Sequence, residues 1–136
     1  MGTWSVDAFG NDDAADWAHE LEDAEDLSPI QEAIDAVLAV GDEYLEAPQA
    51  SIALAAIEVL AWLGGNPGEK SAYTDTVDKW ILSTELKPTV ELLDKAQAAI
   101  VRILAEDSEL KELWEESDEY DSWSASIDDL RTRVGA

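Results

Sequence analysis

Cysteine is absent from this 136-residue chain, and histidine occurs once. Without thiols there is neither a disulfide framework nor a thiolate metal site, and the chain suits a reducing cytosol. A single histidine removes most zinc and nucleophilic chemistries, which draw on His and Cys in combination. A Ser-His-Asp triad would have to use His19, and no G-x-S-x-G elbow exists to present its serine. Long hydrophobic runs are missing too. The most apolar stretch, Ile52 to Leu63, is interrupted by Glu58 and is shorter than the roughly 18 residues of a membrane span. The N-terminus has neither the basic n-region nor the apolar h-region of a signal peptide, and Val6 stands where myristoylation needs Ser or Thr, so a cytoplasmic protein is expected.

Positive charge is equally scarce. Against 32 Asp and Glu stand 8 Lys and Arg, a formal charge of −24. From Met1 to Glu69 there are 16 acids and no Lys or Arg; all the bases follow from Lys70 onward. A field of this sign repels nucleic acid and anionic membranes and attracts cations or basic proteins. Charge so high would suit a disordered chain. However, 46% of the residues are apolar and they recur at helical spacing, which argues for a folded core.

That spacing predicts an all-α, single-domain bundle of six to seven helices. Helix one runs from Asp12 to about Asp26 with Ala14, Trp17, Ala18 and Leu21 inward. Ser28-Pro29 gives a cap followed by Pro at the first helical position, opening helix two with Ile30, Ala33, Ile34, Val37, Leu38 and later Leu45 on one face. Pro48 opens the third, whose segment Ile52 to Leu63 has no wet face and is expected at the centre. Gly64-Gly65-Asn66-Pro67-Gly68 ends it. A fourth helix, capped by Thr74 or Asp75, carries Val77, Trp80 and Ile81, and a fifth from Pro88 turns Leu93, Ala96, Ile100, Ile103 and Leu104 inward. Two shorter faces follow, Leu110-Leu113-Trp114 and Trp123-Ile127-Leu130-Val134. There is no strand-like alternation and no repeat at a fixed period.

Two phosphate- and calcium-loop candidates fail on chemistry. Gly68-Glu69-Lys70-Ser71 has Glu where a phosphate loop needs Gly for close backbone approach, and it follows a helix rather than a strand. A calcium loop read from Asp118 would have Trp123 at its obligatory Gly.

The opening of the chain reads Gly2-x-Trp4, then Phe9-x-Asn11-Asp12-Asp13-Ala14-x-Asp16-Trp17. Asn11 is a preferred helix cap, and the acids behind it meet the positive end of the helix dipole. This spacing resembles the start of a family of small, mostly bacterial proteins known only as domain of unknown function 4259. The resemblance implies one family domain over residues 1–136, with residues 1–10 as an extended aromatic segment packed on the bundle. It implies no activity. Members typically carry Gly after the Trp, where this chain has Ser5. Trp4, Phe9 and Trp17 are read as a lid filling the core, in competition with an aromatic ligand patch.

Three groups of residues carry candidate chemistry. Asp16, His19, Glu20 and Asp23 fall at i, i+3, i+4 and i+7, on one side of helix one, where a divalent cation could sit; a solvated acidic face is the alternative. Carboxylate-bridged metal bundles need Glu-x-x-His on two helices, which this chain lacks. Glu58 is the one ionisable group in an apolar helix: buried without a partner its carboxyl would be pushed up, and otherwise it points to the edge of the bundle or pairs with a Lys or Arg of the second half. The dense run Glu106, Asp107, Glu109, Glu112, Glu115, Glu116, Asp118, Glu119 and Asp121 could, with helix one, set carboxylates about 5–6 Å apart.

No cofactor is expected, and an enzyme would have to work with carboxylates alone. The expected function is a non-enzymatic acidic binding module that engages a basic protein through Asp12, Asp13, Asp16, Glu20 and Asp23. Small immunity proteins, antitoxins and nucleic-acid mimics supply the analogy. The alternatives are a surface adapted to salt or cations without a dedicated partner, and a carboxylate metal site. The oligomeric state is open, with an apolar patch using Trp80, Trp114 or Trp123 as one route to a dimer.

Overall fold

A computed structural model describes residues 12–66, 75–84 and 86–135. They form seven helices: α1 (Asp12–Leu21), α2 (Ser28–Ala39), α3 (Ala47–Leu63), α4 (Asp75–Ser83), α5 (Val90–Leu104), α6 (Glu109–Glu115) and α7 (Tyr120–Val134). No strand occurs among the described residues; Leu45 and Ser108 make one isolated parallel bridge. The aromatic segment 1–10, with Gly2, Trp4 and Phe9, lies outside the described residues, as do Asn11 and the rejected loop at residues 68–71.

Helix α3 is central because it has no polar face to keep wet. Every residue from Ala53 to Leu63 is buried, Glu58 included, and α3 packs against each of the other six helices. The surrounding helices are amphipathic and turn one stripe inward: Ala14, Trp17, Ala18 and Leu21 from α1, and Trp123, Ile127, Leu130 and Val134 from α7. On α5 the buried stripe is Leu92, Ala96, Ala99, Ile100 and Ile103, with Leu93 and Leu104 only half-buried at its edges.

Helix ends account for the departures from the expected pattern. α1 stops at Leu21 rather than near Asp26, and the next residues continue in tight turns, with the Glu22, Asp23 and Ala24 amides donating to the carbonyls of His19, Glu20 and Leu21. Acids at residues 20, 22, 23 and 25 face the negative end of the helix dipole, which opposes further α-turns. At α2 the capping residue is Leu27, and Asp26 supplies the oxygen expected of Ser28, accepting from the Ser28 amide at 2.9 Å. That bond holds the Asp26 carboxyl below its usual range.

Leu45 is not on α2. The helix ends at Ala39, and Gly41 takes φ 59°, a left-handed turn that glycine adopts without steric cost. The loop then runs back to the α5–α6 connection, where the Leu45 amide donates to the Asp107 carbonyl at 2.8 Å and the Glu109 amide to the Leu45 carbonyl at 2.9 Å. Leu45 is fully buried by this bridge. Arg102 clamps the two loops: its guanidinium donates to the carbonyls of Gly41, Glu43, Glu106 and Asp107.

The tryptophans expected to offer an exposed patch are interior. Trp114 and Trp123 stack with ring centroids 6.1 Å apart, and Trp80 donates its indole N–H to the Ala24 carbonyl at 3.1 Å. All three are buried. A dimer through Trp80, Trp114 or Trp123 would therefore have to unpack the core.

Candidate functional site

The acids of this chain occupy two contrasting environments. On α1, the inward turn of Ala14, Trp17, Ala18 and Leu21 sends Asp13, Asp16 and Glu20 to the opposite side, and Asp23 continues the row in the turn beyond. All four are exposed, and no ion pair reaches them among the described residues. The backbone of Asp12 opens the same helix. His19 is exposed beside the row. Among the described residues no three His, Asp or Glu side chains converge closely enough to hold a metal ion, so Asp16, His19, Glu20 and Asp23 form a string along a surface rather than a cage.

An open cleft of about 530 Å³ adjoins this row, lined by Glu22, Ala24, Glu25, Trp80, Ser83, Thr84 and Leu86. Two of its wall residues are exposed acids. A second acidic surface comes from the α6 region, where Glu112, Glu115, Glu116, Asp118, Glu119 and Asp121 are all exposed. Glu109 is withdrawn from it, because its carboxylate accepts from the Ala47 amide at 2.7 Å and so caps α3. Tyr44 donates its hydroxyl to Glu112 at 3.0 Å. Local desolvation, that hydrogen bond and repulsion from Glu112, Glu109 and Asp107 push the phenol up to about 12.

Glu58 is the opposite case. It lies on the central helix with 7% of its surface exposed, and Arg133 of α7 reaches it at 2.9 Å. The contact is an ion pair made off the N–H direction rather than an aligned hydrogen bond. Burial pushes the Glu58 carboxyl above its usual range, and Arg133 and the Trp62 indole draw it part of the way back. Arg133 is a hub in its own right: its Nε meets Asp129 at 2.7 Å and its Nη1 donates to the Asn66 carbonyl at 3.2 Å. Asn66 returns the bond to the Arg133 carbonyl at 3.1 Å. Glu58 does not turn to the edge of the bundle and is not left alone inside it: the acid is buried, and a base from the second half pairs with it.

The sequence carries no sign of which base that would be. It also misses Tyr44 and Arg102, for which the Asp-Glu-Tyr run and the late position of an Arg on α5 are the only signals.

The family described as a domain of unknown function (DUF4259) matches residues 2–126. The chain belongs to this family. The matched span holds the motif residues Gly2, Trp4, Phe9, Asn11, Asp12 and Trp17, the acidic row and Glu58, whereas Arg133 falls beyond it. No curated protein and no solved structure matches the chain. Among the described residues no helix is long and apolar enough to cross a membrane.

Proposed function

We propose that the protein is a non-enzymatic binding module whose acidic surface engages a basic protein, with Asp12, Asp13, Asp16, Glu20 and Asp23 at the centre of contact. The observation that carries this reading is the row on α1: exposed carboxylates at successive turns, with no cation among the described residues paired to them. Four of the cations among the described residues are engaged elsewhere. Lys95 holds Asp35 at 3.1 Å, Lys111 lies 3.8 Å from Glu115, Arg133 is taken by Glu58 and Asp129, and Arg102 is spent on backbone carbonyls. No cation among the described residues pairs with the row, and repeated carboxylates on a rigid helix suit Lys and Arg side chains of a partner.

Association of this kind is fast and weakens steeply with added salt. The test is retention of a basic protein from lysate at low ionic strength, eluted by a salt gradient. The Asp13→Lys, Asp16→Lys, Glu20→Lys variant is expected to retain none while its circular dichroism stays that of the native bundle. Undiminished retention by this variant removes the row as the binding surface. A scatter of basic proteins bound in trace amounts points instead to a solvated surface without a dedicated partner.

A further inference from the structure

Two helices end at the cleft of about 530 Å³. α1 stops at Leu21, one residue before Glu22 on its wall, and α4 stops at Ser83, which is itself part of the wall. The negative ends of both helix dipoles therefore meet there. One side is the turn after α1, with Glu22, Ala24 and Glu25; the other is the end of α4, with Trp80 and Ser83, followed by Thr84 and Leu86. The bond from the Trp80 indole N–H to the Ala24 carbonyl, at 3.1 Å, ties the two sides together. Glu22 and Glu25 are exposed, and no cation among the described residues pairs with either. Lys79 and Lys87 flank residues 80–86 in sequence, yet neither lines the cleft.

The wall is one-sided in hydrogen bonding as well. The Trp80 N–H is spent on Ala24, and the Ser83 hydroxyl donates to the Trp80 carbonyl at 2.8 Å. The amides of Glu22, Ala24 and Thr84 donate to the carbonyls of His19, Leu21 and Trp80, and that of Leu86 to the Thr84 hydroxyl. What remains on offer is chiefly acceptors, two carboxylates and the hydroxyl oxygens. A ligand here has to bring the donors and the positive charge. We infer that the cleft is a binding site for an organic cation of the alkylammonium or alkylguanidinium class, its stem against Ala24, Trp80 and Leu86 and its charged head at Glu22 and Glu25. An anion would meet two carboxylates and two negative helix ends. A bare metal ion lacks ligands, since no three His, Asp or Glu side chains among the described residues converge to hold one. The volume lies within the roughly 300–1,000 Å³ usual for small-ligand sites.

Two sources share this chemistry: a free amine or guanidine, and a Lys or Arg side chain of a partner protein. The cleft uses none of the carboxylates assigned to the α1 row, so the site does not rest on the basic-partner reading and either can fail alone. Exposed carboxylates hold a cation loosely, so an affinity on the order of 1 mM is expected, falling as salt is added.

The test is a heteronuclear NMR titration of the nitrogen-labelled full chain, in which n-butylguanidinium or n-butylammonium replaces sodium at a constant ionic strength of about 50 mM, beside uncharged 1-butanol. The Trp80 indole N–H resonance is expected to move along a saturating curve with both cations, farther than those of Trp62, Trp114 and Trp123, and to stay still with 1-butanol. Glu22→Gln/Glu25→Gln is expected to weaken binding by about tenfold with an unchanged melting temperature, since both acids are exposed and unpaired among the described residues. The Asp13→Lys, Asp16→Lys, Glu20→Lys variant is expected to bind within about threefold of the native chain. A Trp80 resonance that does not move, or that moves equally with 1-butanol, overturns the proposal, and so does undiminished binding in the glutamine variant. Retention of a basic protein on the salt gradient separates the sources. Its loss in the glutamine variant assigns the cation to the partner's side chain, and unchanged retention, or none by the native chain, assigns it to a free amine or guanidine.

Discussion

Asp16 on α1 and Glu58 on α3 are both carboxylates on helices of the same small bundle, yet one is exposed with no ion pair among the described residues and the other is buried against an arginine that arrives 75 positions later in the chain. The difference lies in what surrounds each helix. Among the described residues α1 is packed on one side only, against α3 and α4, and its acids turn outward from that side. α3 is enclosed on every side, so an acid anywhere along its buried run must either be neutralised or be given a cation. Charge outside the core is a property of the surface field, and the same charge inside it becomes a structural obligation.

The largest expected effect comes from breaking the buried half of this contrast. Arg133→Met strands Glu58 without its counterion and is expected to cost about 3 kcal/mol at pH 7, the lower end of the range for a broken buried pair, because a fifth of Arg133 remains in solvent. The loss depends on pH with a definite sign. The Glu58 proton is held more tightly in the folded state than in the unfolded one, so the stability it contributes is full below the ordinary carboxylate range and is lost as pH rises through the folded value. Removing Arg133 takes away an influence that lowers this value, which moves the window upward. Urea unfolding should accordingly show a small penalty near pH 4.5 and the full one at pH 7. Glu58→Leu combined with Arg133→Met should recover most of the stability, since a paired charge and a packed apolar pair are close in free energy. An equal loss at both pH values, or no recovery in the double variant, contradicts the account of Glu58 as a paired buried acid.

The exposed half should respond in the opposite manner. Asp13→Lys, Asp16→Lys and Glu20→Lys together are expected to change stability by no more than about 1 kcal/mol at low ionic strength, because unpaired surface charges contribute little. Asp13 loses a favourable interaction with the start of the helix dipole, while Lys at position 20 gains one near its end, so the two partly cancel. Thermal unfolding in low and high salt checks this. A loss comparable to that of Arg133→Met would mean that the row is part of the fold's support and not a free surface.

How far the sequence foretold these two environments depends on whether the cause is local. Inward positions of α1, α3 and α7 follow from spacing alone, since burial of a helix face repeats every three to four residues. The central place of α3 is readable because its residues are apolar in every direction, but whether Glu58 turns inward or to the edge of the bundle is not. Nor is the partner of Glu58, because a contact between residues 58 and 133 is set by how α7 packs, and no periodicity records that. Leu45 shows a local signal misweighted: it fits the period of α2, but Gly41 turns the chain before the period reaches it. The clamp by Arg102 leaves no trace in the pattern, because its acceptors are backbone carbonyls, which every residue has. The acidic row was legible as a row. Its occupancy by a partner is a matter of another molecule's surface, which this chain does not encode.

Tyr44 gives the smallest effect and the finest probe, since it is half-exposed like the row yet hydrogen-bonded like the core. Desolvation at the bridge between the two loops, the bond to Glu112 and the surrounding acids push its hydroxyl up to about 12. A phenol whose folded value exceeds the ordinary 10 contributes stability that is present below about pH 10 and is lost as pH rises towards 12. Ultraviolet titration should resolve one tyrosine ionising at about 12, absent in Tyr44→Phe, and Glu112→Gln should bring it down by removing a negative neighbour. If Glu112→Gln leaves the titration where it was, the acids of α6 do not act on Tyr44 through this contact. The α6 carboxylates would then belong wholly with the solvated row on α1. A downward move places them between the two environments, exposed to water on one side and fixed to the fold on the other.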